Sequence, residues 1–280
     1  MTALRLDGPL VVASGCAGTG RELLPYTSLD GTTVVTRTVT LDPHHLTARR
    51  LVGTTHGFLH DGGVDSAGLE PFLATELPGL VRAGARVHVS VSGPTSADVA
   101  ALAARLGTAP GVAGVELNLS AQAPGLVRAA STAQVAGLVD AVRDALTFQL
   151  PLLVKLGHRH GLEHARAAQS AGADGLVVSG AVPALLPGST PGVLVGPSVL
   201  PVALRRLAEI AEAVTEIPVL GNGGVTCAAD VRRYLALGAV AVQVGSALLH
   251  DPTTLTRIGA DLAGSYPSRR PEHRTHQEDP

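Results

Sequence analysis

The 280-residue chain has no tryptophan, three tyrosines, three phenylalanines, two cysteines and one methionine. Aromatic residues make up only 2% of it while hydrophobic residues reach 45%, so an interior must be packed from Ala, Val and Leu, as parallel strands and their covering helices allow. Cys16 and Cys227 lie far apart without metal-ligand spacing. That excludes a protein-borne iron–sulfur cluster or a cysteine-based zinc site and fits a reducing, cytoplasmic compartment. No uncharged apolar run approaches the ~18 residues of a membrane helix, so no membrane partner is expected. Basic and acidic residues number 21 and 23, for a net charge of −2, and no basic run occurs. Nucleic acid is therefore not an expected partner, and a small-molecule substrate is.

What the chain does have is glycine at the ends of apolar runs. Pro218-Val-Leu-Gly-Asn-Gly-Gly-Val225 is followed, one helix-length on, by Ala241-Val-Gln-Val-Gly-Ser-Ala247. Each β-branched run stops in glycine before a helix-like segment, which leaves backbone N–H groups and a helix N-terminus facing an anion. Two such units in succession near a chain's end are the expected phosphate grip of a (β/α)₈ barrel.

The remaining pattern agrees. Eight apolar runs read as strands, around residues 10–13, 33–37, 86–90, 114–118, 152–156, 175–179, 219–222 and 241–244. Helix-like segments between them predict an α/β fold with one parallel barrel over residues 1–264. Ser131-Thr-Ala-Gln134 is a capping box opening Val135, Leu138, Val142 and Leu146 at helical spacing; Ala203, Leu207, Ile210 and Val214 repeat that spacing after Gly196-Pro197. Residues 21–27 read as a further helix. Extra strands are expected N-terminal to the barrel, with a long loop at 38–68 over its C-terminal face and a Pro/Gly-rich loop at 181–192 beside it. Residues 265–280 read as a disordered polar tail.

Several residues could carry chemistry. Glu116, Asn118 and Ser120 share one side of an extended segment, because side chains alternate with period two; Asn and Ser are also common where a loop simply begins. Lys155 ends the apolar run Pro151-Leu-Leu-Val-Lys-Leu156. It could stabilise an anionic flavin, hold a phosphate, form a Schiff base, or snorkel to solvent. Histidines gather at 44, 45, 56 and 60 and at 158, 160 and 164. Neither group has helix-spaced pairs with a carboxylate, so surface histidines and no metal are expected. Cys16, in the Gly-rich turn Ala13-Ser-Gly-Cys-Ala-Gly-Thr-Gly20, reads as a small buried cysteine.

Together these segments resemble the class I dihydroorotate dehydrogenases, which are FMN-binding barrels. The matching signatures are Val11-Val-Ala-Ser-Gly15, Thr36-Arg-Thr-Val-Thr-Leu-Asp-Pro43, Glu116-Leu-Asn-Leu-Ser120, Val154-Lys-Leu156, Gly172-Ala-Asp-Gly175, Gly196-Pro-Ser-Val199 and the two phosphate-loop segments. The resemblance implies that Gly223, Gly224, Gly245 and Ser246 hold the FMN phosphate. It places Ala13, Ser14, Gly15 and Gly196 beside the flavin and Lys155 and Asn118 against its ring. Arg37 takes the position of a family lysine. The family also implies a homodimer and, in one subgroup, a separate electron-transfer subunit carrying FAD and an iron–sulfur cluster.

The substrate half departs from the family. Where relatives carry Ser-Cys-Pro-Asn, this chain reads Ser120-Ala-Gln-Ala123, so alanine stands at the catalytic cysteine and at a pyrimidine-binding asparagine. His60 and Ser66 stand at two asparagines of the substrate loop. Each unreplaced hydrogen bond loses on the order of 1 kcal/mol. The expectation is an FMN-dependent oxidoreductase moving a hydride between flavin N5 and a small, pyrimidine-like or other substrate, not standard dihydroorotate oxidation. His60 is the first candidate for proton transfer, Ser120 the second, and Lys155 stabilises charge. Three alternatives stay open: a genuine dihydroorotate dehydrogenase with a substitute base, an inactive FMN-binding or interaction protein, and a flavin-free barrel using Lys155 as a Schiff base.

Overall fold

The structure, a computed structural model, describes residues 3–45, 50–121, 125–127, 129–146 and 150–264. The expected tail at 265–280 and Ala123 lie outside them. The chain opens with β1 (Leu10–Val12) and β2 (Thr33–Val35), then leaves for a hairpin, β3 (Leu51–Thr54) and β4 (Gly57–His60). It returns through α1 (Leu69–Pro71), a π-helical turn at Phe72–Glu76 and α2 (Leu77–Arg82). β5 (Arg86–Val91), α3 (Ser96–Gly107), β6 (Val112–Asn118), α4 (Thr132–Ala145), β7 (Leu152–Leu156), α5 (Leu162–Ser170) and β8 (Gly175–Ser179) follow in alternation. A second excursion forms β9 (Val182–Leu186) and β10 (Thr190–Val195). The chain closes with α6 (Leu200–Ala213), β11 (Val219–Asn222), α7 (Ala228–Ala236), β12 (Ala241–Val244), α8 (Ser246–His250) and α9 (Thr254–Gly264).

Eight strands close a parallel barrel in the order β1-β12-β11-β8-β7-β6-β5-β2, the α/β architecture that the sequence predicts. Alternation divides the strand residues between two cores. Val12, Val34, Val89, Leu117, Val154 and Val178 belong to the large cluster shared with the helices. Val11, Val35, Leu153, Val177, Leu220 and Ala241 form a separate inner cluster, against which Leu4 and Leu6 pack. Asp7 continues this floor, accepting from Arg86 Nε at 2.9 Å. The capping box of α4 is present, with Ser131 and Gln134 satisfying each other's backbone N–H groups. Val135, Leu138 and Val142 bury one helix face, as do Ala203, Leu207 and Ile210 in α6.

Three expectations change. Residues 21–27 hold only a 3₁₀ turn, Arg21–Leu23, because Pro25 has no N–H to donate and disfavours helix before it. The extra strands do not precede the barrel: among the described residues β1 is the first strand and already belongs to it. They come instead from the two regions read as loops. β3, β4, β10 and β9 make an antiparallel four-stranded sheet, joined where Phe58 pairs with Val195 and His60 with Val193. Pro183 is tolerated in β9 because that strand is an edge. Among the described residues no helix is long and apolar enough to cross a membrane.

Candidate functional site

A cavity of about 350 Å³ lies between the C-terminal ends of the barrel strands and the four-stranded sheet above them. Every residue assigned to catalysis or FMN binding on the resemblance lines it, while Glu116 lies buried outside the lining. Ala13, Ser14 and Gly15 follow β1, Asn118 and Ser120 close β6, and Lys155 points in from β7. Gly223, Gly224, Gly245 and Ser246 come from the turns after β11 and β12, while His60 and Gly196 belong to the roof side. The barrel geometry explains the convergence, since loops at the strands' C-terminal ends share one mouth.

The glycines there answer to packing as well as to a ligand. Gly224 has φ +73°, and a Cβ on it would stand 2.6 Å from the Leu200 Cβ, so the turn after β11 can press against the start of α6 only without a side chain. Gly196, with φ +116°, would place a Cβ 2.5 Å from the Gly57 Cα; its glycine is required by the roof hairpin. Tyr234 of α7 supports the turn from behind, its hydroxyl donating to the Gly223 carbonyl at 2.7 Å. Burial pushes that phenol's pKa up.

Lys155 is the one lysine in the sequence, and its side chain is only 7% exposed. Nζ donates to Gln243 Oε1 at 3.0 Å and lies 3.6 Å from Oε1 of the fully buried Glu116. Gln243 Nε2 donates in turn to Glu116 Oε2. This inward parity on β6, β7 and β12 makes a polar layer above the inner apolar cluster. Sequence reasoning passed over Gln243, although a lone polar residue within Ala241-Val-Gln-Val244 was a legible signal.

Asn118 Nδ2 donates to Thr38 Oγ1 at 2.9 Å, and Oδ1 accepts from the Ser120 N–H at 3.0 Å and its hydroxyl at 2.6 Å. The carbonyl end of that amide is thus committed to its own turn. Arg37 pairs with Glu76 at 3.0 Å, where the π-helical turn brings the carboxylate, and its buried Nε has no partner among the described residues. Ala121 packs with Val64 and Leu126, an apolar patch in the mouth. Ser66 is buried and turned inward, its Oγ accepting from the N–H groups of Thr40 and Gly68, both at 3.1 Å.

His60 Nδ1 accepts from the Gly62 N–H at 3.0 Å. Burial lowers its pKa, opposed by Asp61. The Cys16 thiol, half-buried in the same cavity lining and not the fully buried cysteine expected, is pushed up by burial, against the pull of Lys155. His160 is not the surface histidine expected: it is buried, with Nδ1 accepting from Gly157 N–H at 3.0 Å and Nε2 2.7 Å from the Ala129 carbonyl. Behind it Arg206 donates to the carbonyls of Ser179, Gly157 and His160, tying the ends of β7 and β8 together. Among the described residues no group of three or more His, Cys, Asp or Glu could hold a metal ion.

The family model for dihydroorotate dehydrogenase matches residues 1–265. The chain is 35% identical to the dihydroorotate dehydrogenase B (NAD(+)) catalytic subunit of Desulforudis audaxviator, over 94% of this chain and 90% of that one. It is 34% identical to the proteins of the same name from Desulforamulus reducens, covering 91% and 88%, and Pelobacter propionicus, covering 94% and 90%. The crystal structure of the Eimeria tenella DHODH in complex with ferulenol superposes with a TM-score of 0.75 at 17% identity, over 91% of this chain and 80% of that one. At that identity the likeness is one of fold.

Proposed function

Because the chain belongs to the dihydroorotate dehydrogenase family, we propose that it is an FMN-dependent enzyme that oxidises dihydroorotate at its CH–CH bond. Family membership makes it an oxidoreductase and a flavoprotein. The expectation of a different substrate gives way here, because relatives named for this reaction align over nearly the whole chain. The observation that carries the proposal is the buried Lys155, fixed by side-chain partners in a cavity that also collects both glycine turns.

The residues present fit FMN. A Cβ on Gly15 would meet nothing within 4 Å, so the turn after β1 opens onto free space, and Arg37 Nε offers an unpaired donor at the same cavity. Bound FMN would supply the hydride acceptor, its N5. Lys155 then sets a positive charge against the ring, where negative charge accumulates on reduction. The turns at Gly223-Gly224 and Gly245-Ser246 present backbone N–H groups for the phosphate. The Asn118 amide keeps one N–H for substrate. His60 is assigned the substrate's proton, at Nδ1, the ring nitrogen that carries a lone pair in the tautomer favoured by the Gly62 contact. Ser120 is the second candidate, its own proton being given to Asn118.

The visible spectrum of the purified protein under anaerobic conditions tests this. The expected result is a yellow protein that bleaches on addition of dihydroorotate. A colourless protein would remove the cofactor reading, and a persistent flavin spectrum would remove the substrate. The second outcome would favour an FMN protein without this chemistry, a reading motivated by the apolar patch of Ala121, Val64 and Leu126. The relatives' names, with NAD(+) and a catalytic subunit in them, support a further subunit that takes the electrons onward. A homodimer is the proposed assembly of this chain, checked by sedimentation.

A further inference from the structure

Behind Lys155 stand two buried side chains, of which Gln243 borders the cavity and Glu116 does not. Glu116 is 0% exposed and Gln243 1%. The chemistry of the neighbours fixes how the Gln243 amide is turned. An ammonium can only donate and a carboxylate only accept, so the amide must present Oε1 to Lys155 and Nε2 to Glu116. Asn222 Nδ2, 3.5 Å from the same Oε1, donates in the same sense. The three side chains come from β6, β7 and β12, and β6 and β12 are not neighbours in the barrel, so Gln243 spans the interior. Without that bridge Lys155 would keep one anionic neighbour, Glu116 at 3.6 Å, and would be drawn toward it.

We propose that Gln243 is a positioning residue: its amide holds Lys155 Nζ forward at the cavity wall and keeps it from collapsing onto Glu116. The bridge holds the buried cation 3.6 Å from its counter-ion, short of hydrogen-bond contact, so more of the cation's field stays directed at whatever ring occupies the cavity. This deepens the FMN reading above and rests on it. It does not depend on which substrate is oxidised.

Two readouts test it in the FMN-loaded protein. Since the chain has a single lysine, incorporation of ¹⁵Nζ-lysine gives one side-chain ammonium signal. That signal is expected to be slowly exchanging in the parent protein and displaced in Gln243→Met. The second readout is the flavin midpoint potential, taken by reductive titration without substrate. Gln243→Met should move it to more negative values, by at least half the shift that Lys155→Met produces, because the cation withdraws from the ring. Glu116→Gln should move it the other way, because a negative charge is lost while the amide bridge to Lys155 is retained. A purely structural role would move neither, or both in one direction. Gln243→Asn, one methylene too short for both partners, gives the same negative shift and serves if the methionine variant fails to retain FMN. FMN bound at parent stoichiometry with unmoved potentials, or with shifts of equal sign, would overturn the proposal alone. A parent protein that takes up no FMN would overturn it together with the cofactor reading.

Discussion

Neutral His60 has its lone pair at Nδ1, where the Gly62 N–H already donates at 3.0 Å, and its hydrogen at Nε2. To take a proton from substrate the ring must give up that contact, at a cost of about 1 kcal/mol. His60→Gln separates the two uses of the ring, since glutamine can still donate but has no basic nitrogen. If His60 moves the proton, stopped-flow reduction of the flavin should slow by roughly 10²–10⁴-fold in this variant; an unchanged rate would leave His60 as a donor only. Burial lowers the pKa of His60 from 6.5, so the rate of the parent protein should be flat above pH 6.5 and fall only below it. The sequence showed the histidine and the missing cysteine. It could not show which ring nitrogen was occupied, because that depends on a turn two residues on. Nor could it show that Ser66 faces inward, since its partners Thr40 and Gly68 meet it only in the fold.

The barrel strands were legible because each is an apolar, β-branched run ending in glycine or a polar residue, and their ends agree with the structure to within a residue or two. The roof was not. β9 contains Pro183 and β3 contains Gly53, both of which argue against a strand when read alone. What makes them strands is a partner: β10 pairs with β9 on one side and β4 on the other. Gly196 is where that roof is pinned, since its Cα side lies against Gly57. Gly196→Ala should therefore destabilise the protein by about 1–3 kcal/mol, from a positive φ and an overpacked contact together. Urea unfolding would read this directly. A loss no larger than for Gly137→Ala, a glycine of α4 with nothing within 4 Å of its Cβ position, would mean the hairpin is not held there.

For the molecule as a whole, acid is the expected weakness. His88 sits inside the barrel with both ring nitrogens unpaired among the described residues, and burial pushes its pKa down to about 4. Burial also lowers those of His160, His158 and His60. The unfolded chain takes up these protons near pH 6.5 while the folded chain does not, so the unfolded state binds more protons in between. Stability should be complete above pH 6.5 and be lost as pH falls toward 4, with His88 alone contributing roughly 3 kcal/mol. A melting temperature constant across that window would contradict the burial of these rings. At the same scale, the isolated chain should reduce artificial acceptors but not NAD⁺, if electrons leave through a second subunit; NAD⁺ reduction by the chain alone would remove that partner. The roof adds a matter of timing. The chain leaves the barrel after β2 to form β4 and after β8 to form β10, so these two strands pair only across a long stretch of chain. Such contacts are slow to form, and closing the barrel, where Leu10 pairs with Val242, spans more chain still, so ring and roof are both late events. The mouth is therefore expected to stay open until the last stage of folding, which leaves FMN a doorway that the finished protein narrows.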